Sequence, residues 1–308
     1  MGGRAIGETV PVYTDEDCEG ALLMAKWPAG YRCPRCAHPH WYDVVARGRK
    51  LYECRSCGHQ TSLTAGTILE GTRTPLHKWF QAMHLMQFGI SAKLLAELIS
   101  VTYKTAWLIN HKLRHAIDRW DRELPLEGNL QLLGEFYGYE YLQHISPSSL
   151  SEAAVQPVVI GAAVSECGDI AHLKIKKDSK EQPSRSTEAE TLDRFVRQHT
   201  SDAIVPRRVA AVDRRRNRGT TSRLPAVWQG AIRWLAWTFG GIGPKHLQAY
   251  LNEYCFRYLL RRDLLVELIG MCGATRTITY PDLTGNRTGA QAIRWRRHAA
   301  SRGARKVS

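Results

Sequence analysis

No stretch of this 308-residue chain stays apolar for the 20 or so residues that a membrane-crossing helix requires, which argues against an integral membrane protein. The opening residues MGGRAIGETVPVYTDEDCEGAL lack the apolar core of a secretory leader, and only the glycine fits an N-myristoylation signal. Acidic residues, an ordinary 29, do not balance the 43 Lys and Arg, which leaves a formal charge of +14 and a pI near 9.6. Such an excess favours a polyanionic partner, with DNA or RNA ahead of an anionic membrane surface. Cysteines number eight, and four of them, Cys18, Cys167, Cys255 and Cys272, are scattered. That scatter argues against a disulfide scaffold and for a reducing, cytoplasmic setting in which metal holds the remaining thiolates. Hydrophobic residues make up 44% of the chain, enough to bury a sizeable core and to form two or three domains.

The four clustered cysteines form two pairs, Cys33 with Cys36 and Cys54 with Cys57, separated by a short polar segment. Two such turns supply the four thiolates of a structural zinc site, whereas a redox dithiol needs only one reactive pair. A zinc ribbon is therefore expected over residues 30–66, with Trp41 and Tyr52 bracing its small sheet, after a helical lead-in at 1–29 that Pro28 stops. Residues 67–120 read as three helices. Gly89 breaks the first from the second, and Ser100, Val101 and Thr102 separate the second from the third, as in a helix-turn-helix. The third segment would be the recognition helix, with Thr102, Lys104, Thr105, Lys112 and Arg114 as candidate DNA contacts. The plainer alternative is a three-helix packing unit whose lysines face solvent.

From residue 128 the hydrophobic period shifts. NLQLLGEFYGYEYLQ is apolar and aromatic, and the stretch around VVIGAAV reads as a central strand paired with another across Cys167, Gly168 and Asp169. A crossover helix follows at AETLDRFVRQHT, so an α/β core is expected over residues 128–265. Arg207, Arg208, Arg214, Arg215 and Arg216 are dense enough to suggest a phosphate-facing loop, although an ordinary solvated surface would look the same. Residues 266–308 form a C-terminal extension whose basic tail offers at most a second non-specific phosphate contact.

The ribbon followed by GTRTPLHKWFQAMHLMQFGISAKLLAELISVTYKTAWLINHKLRHAI resembles the N-terminal half of bacterial insertion-sequence transposases. These join a zinc ribbon and a helix-turn-helix to a ribonuclease-H-like catalytic domain. The similarity resumes at GIGPKHLQAYLNEYCFRYLLRR, so it spans about Gly30 to Arg262 with a poorly matched middle. It implies a multidomain α+β protein: zinc ribbon, helix-turn-helix, and a ribonuclease-H-like α/β core with a helical C-terminal part. Its partner would be double-stranded DNA on the bacterial nucleoid, bound by a homo-oligomer or by an assembly with other proteins.

In the family, carboxylates hold two divalent ions, Mg2+ or Mn2+, that activate the attacking oxygen and stabilise the leaving one. Here Leu133 stands where the first aspartate should, and Glu135 lies two residues on, along the same strand face. The signature around the second aspartate is missing, which leaves Asp202 and Asp213 as candidates. Gly230 and Ile232 stand near the asparagine and lysine of the third motif, and FRYLLRR carries one residue more than its counterpart.

The resulting expectation is a transposase-derived DNA-binding protein without strand-transfer activity, with structural Zn2+ as its metal. One alternative is an active enzyme with the displaced ligands Glu135, Asp202 and Asp213. Another is a structural subunit that assembles through Trp234, Trp237, Tyr250 and Tyr254.

Overall fold

The computed structural model describes residues 10–46, 48–138, 156–178, 188–201, 209–212, 222–260 and 264–284. Helix α1 (Asp15–Lys26) begins where the Thr14 hydroxyl accepts the Asp17 amide, and Asp15, Glu16 and Asp17 favour its positive end. It leads into an antiparallel sheet of β1 (Trp41–Ala46), β2 (Arg49–Cys54) and β3 (Gln60–Ser62), with Trp41 opposite Cys54. Helices α2 (Leu76–Met86), α3 (Ala92–Leu98) and α4 (Tyr103–Glu123) follow. The Ser91 and Thr102 hydroxyls cap α3 and α4 by accepting amides three residues on. Ser100 takes a φ of 53° in the turn between them.

These pieces do not fold as separate beads. Leu22 of α1, Tyr52 and Cys54 of the ribbon, and Trp79, Leu95, Ile109 and Leu113 of the three helices are buried in one apolar cluster. The same cluster takes in Leu264, Leu268, Met271 and Cys272 of α8 (Leu264–Ala274). Thus the chain returns at its far end to complete the core of its first third. The Ile68 amide donates to the Cys272 carbonyl, and Gly273 lies so close to α1 that a Cβ there would come within 2.8 Å of Ala25.

The second unit is a four-stranded mixed sheet of order β6-β5-β4-β7, with β4 at Asn129–Tyr137, β5 at Gln156–Val164, β6 at Ile170–Lys177 and β7 at Val209–Ala211. Strands β4, β5 and β6 run antiparallel, whereas β7 joins β4 in parallel after helix α5 (Glu188–His199). Side-chain alternation gives β4 two apolar faces. Leu130 and Leu132 meet Phe195 of α5 on one side. Leu133 and Tyr137 join α6 (Leu224–Phe239) and α7 (Pro244–Leu259) on the other. The run VVIGAAV is interior, as its uniform hydrophobicity predicts. The edge of β6 is covered by α7: Gln248 accepts the Lys177 amide and donates to the Ile175 carbonyl, which blocks pairing with another strand. A short helix, α9 (Tyr280–Thr284), ends the described residues.

Candidate nucleic-acid interface and metal centre

The four ribbon cysteines sit on two matching turns. Cys33 donates its amide to His38 and accepts the amide of Ala37, while Cys54 donates to His59 and accepts the amide of Gly58. Ala37 and Gly58, each the fourth residue after its cysteine, have φ values of 60° and 64°. All four Sγ atoms lie within 4.8 Å of one another, with Cys33 to Cys57 at 3.7 Å and Cys36 to Cys54 at 3.5 Å. A tetrahedron of Zn–S bonds of about 2.3 Å has edges of about 3.8 Å, so the thiols fit zinc closely. The Arg35 and Ser56 amides point at Cys33 and Cys54 Sγ, each at 3.4 Å, and partly neutralise thiolate charge. Tyr31, Trp41 and Tyr52 pack together beside the site, with Trp27, just past the end of α1, meeting Tyr31 and Tyr52 edge to face. Lys26, brought down to about 8 by burial, donates to the Ser62, Leu63 and Ala65 carbonyls and fastens the ribbon to α1.

Helix α4 divides the proposed DNA contacts into two groups. Thr102 and Lys104 are exposed at its start, and Thr105 is half-buried beside them. The first turn carries no acidic residue, which leaves the positive end of the helix uncompensated. Lys112 and Arg114 are elsewhere. Lys112 is 7% exposed and donates to the Ile68 carbonyl, and burial lowers its pKa. Arg114 is 2% exposed, its Nε donating to Glu253 Oε2 at 2.6 Å and its guanidinium lying 3.8 Å from the Tyr250 ring centre. The expectation that these two side chains reach DNA is corrected: both are enclosed, because α4 is covered by the N-terminal core on one side and by α7 on another.

A second polar cluster, not foreseen from the sequence, lies where the C-terminal end of α4 meets β6. Lys174 and Lys176 are both buried and both pair with Asp121, and Lys176 also donates to Asn252, whose amide donates to Asp118. The neighbouring His199 is held down to about 4 by burial and by these two lysines. Alternation along IAHLKIKK is the signal that could have located it, since two lysines recur at a period of two within an apolar strand.

The positions that the resemblance sets near catalytic motifs are buried, half-buried or closely packed. Leu133 is 2% exposed and shares an apolar cluster with Ile232, Trp228 and Ile160. Glu135 is half-buried on β4, opposite Val158 of β5. A Cβ at Gly230 would lie 2.4 Å from the Tyr254 hydroxyl, so that phenol takes the space a longer side chain would need. Asp202, Asp213, Arg207, Arg208, Arg214, Arg215 and Arg216 lie outside the described residues. The surface expected from four C-terminal aromatics is also revised. Trp234 donates to the Gly89 carbonyl, Tyr254 donates to the Val227 carbonyl and Tyr250 is buried, while Trp237 is 83% exposed. Among the described residues, no helix is long and apolar enough to cross a membrane.

Residues 13–60 match the transposase zinc-ribbon domain of the IS1595 type. The chain is also 28% identical over 121 residues to an uncharacterized protein in transposable element ISH50 of Halobacterium salinarum. That match covers 38% of this chain and 39% of the relative's length. No solved structure matches the chain. Residues 13–60 are thus similar to a transposase zinc ribbon and hold four thiols at zinc-binding distances, and part of the chain is similar to a transposable-element protein.

Proposed function

We propose that the protein is a transposase-derived DNA-binding protein that no longer performs strand transfer. The observation that carries this reading is the joining of Leu133 and Ile232 in one apolar cluster. By resemblance these positions hold a metal-binding aspartate and a lysine, and neither replacement can ligate an ion or carry charge. The mixed sheet, three antiparallel strands extended by a parallel one that arrives through a helix, supports a ribonuclease-H-like core that keeps its shape without that chemistry.

DNA binding is supported by the formal charge of +14, by the transposase-type ribbon, and by the capped turn of α4 that exposes Thr102 and Lys104. In this reading α2, α3 and α4 act as a helix-turn-helix, with the first turn of α4 at the base edges. Zinc holds the ribbon, and through the shared core it also steadies α4. Fluorescence anisotropy with a labelled duplex from the gene's flanking ends tests the proposal. Binding should weaken steeply with salt, and chelation of zinc should weaken it further. Affinity that is indifferent to both would refute it.

A further inference from the structure

Beside the exposed turn of α4 lies an open cleft of about 900 Å3, within the range that a single small ligand occupies. Its walls are aromatic: Trp79 from α2, Tyr103 and Trp107 from α4, and Tyr280 from α9. Trp107 and Tyr280 meet edge to face with ring centres 5.5 Å apart, and Tyr103 and Tyr280 are more than half exposed. Arg73 and Lys104 stand exposed at the rim, and among the described residues no carboxylate lines the cleft. Aromatic faces bordered by cations, with no acid, are complementary to a flat heterocycle carrying a phosphate.

Resting on the DNA-binding reading above, we propose that this cleft receives one unpaired nucleotide of a DNA end or distorted site, its base against Tyr103 and Trp107 and its phosphate at Arg73 and Lys104. A base inside a duplex has both faces covered by its neighbours and presents only an edge. An unpaired base has free faces, which is what the rings of the cleft can meet. The first turn of α4 would then touch duplex while the cleft takes the nucleotide beyond it.

The test uses the full zinc-loaded chain and two duplexes of one sequence, one blunt and one with a four-nucleotide single-stranded overhang containing 2-aminopurine. The overhang should raise affinity about tenfold, and the 2-aminopurine fluorescence should be quenched on binding as the base stacks. In Tyr103→Ala and Tyr280→Ala, both at exposed positions, and in Trp107→Phe, the ratio of overhang to blunt affinity should fall toward one. Equal affinity of the parent for both duplexes would overturn the inference while leaving duplex binding in place. A preference that survives in all three variants would also overturn it, by putting the base elsewhere. Failure to bind either duplex would defeat the DNA-binding reading itself.

Discussion

Arg114 is where reading a basic residue on a recognition helix and reading the fold give opposite outcomes. Replacing it with methionine keeps most of the side-chain volume but deprives the Glu253 carboxylate, 1% exposed, of its directly bonded guanidinium partner. Removing one partner of a buried ion pair costs about 3–5 kcal/mol, a large part of the roughly 5–15 kcal/mol that holds a domain together. The lost contact with the Tyr250 ring works in the same direction. With a urea slope near 2 kcal/mol/M, the midpoint should fall by about 2 M. Urea denaturation followed by tryptophan fluorescence measures this directly. Adding Glu253→Leu should recover most of the loss, because two apolar side chains of similar size can replace a buried pair at little cost. If Arg114→Met kept the parent midpoint and lost DNA affinity instead, or if the double variant were no better than the single, the enclosed ion pair would be the wrong account.

Chelating zinc should collapse more than the ribbon, since Cys33, Cys54 and Tyr52 belong to the cluster that also holds α1 to α4 and α8; circular dichroism should report loss of helix as well as of the small sheet. Gly89→Ala should destabilise the fold by about 2 kcal/mol in the same urea assay, because φ is 64° there and a Cβ would meet Arg257 and the Trp234 indole that donates to the Gly89 carbonyl. Ala37→Gly should be neutral or stabilise the zinc-loaded protein by up to about 1 kcal/mol in thermal melts, since Ala37 takes the φ that Gly58 takes in the matching turn. Burial, with Arg114 and His246 alongside, holds His111 down to about 3, so the unfolded chain takes up that proton first as pH falls. Its contribution is therefore complete above about pH 6.5 and is lost toward pH 3, at up to roughly 1.4 kcal/mol per pH unit, and His111→Phe should flatten stability over that window.

Much of the N-terminal third was legible because its signals are local. Two cysteine pairs specify a ribbon, Gly89 and Ser100 fall at the breaks between helices, and capping hydroxyls stand at Ser91 and Thr102. Local signals cannot say which surfaces of a helix become covered. Arg114 meets Glu253, a partner 139 residues away, and Lys112 meets Ile68, 44 residues back. Helical phase carried part of the answer, since Ile109, Lys112, Leu113 and Ala116 fall on one face and three of them are apolar. The return of α8 to the first core is less visible, because LLVELIGMCGA reads as an apolar helix with nothing to name its partner. In the candidate site, Leu133 was legible as an apolar side chain that cannot ligate a metal, whereas the filling of the space at Gly230 by Tyr254 required the fold.

Strand cleavage tests the central claim most directly. The zinc-loaded protein should be incubated with a labelled duplex carrying the ends that flank its gene, in Mg2+ or Mn2+, beside a Glu135→Ala, Asp213→Ala double variant. The account predicts that the parent binds the duplex and leaves it uncut and unjoined. Metal-dependent nicking or joining by the parent that the double variant lacks would contradict it and identify an active enzyme with displaced ligands.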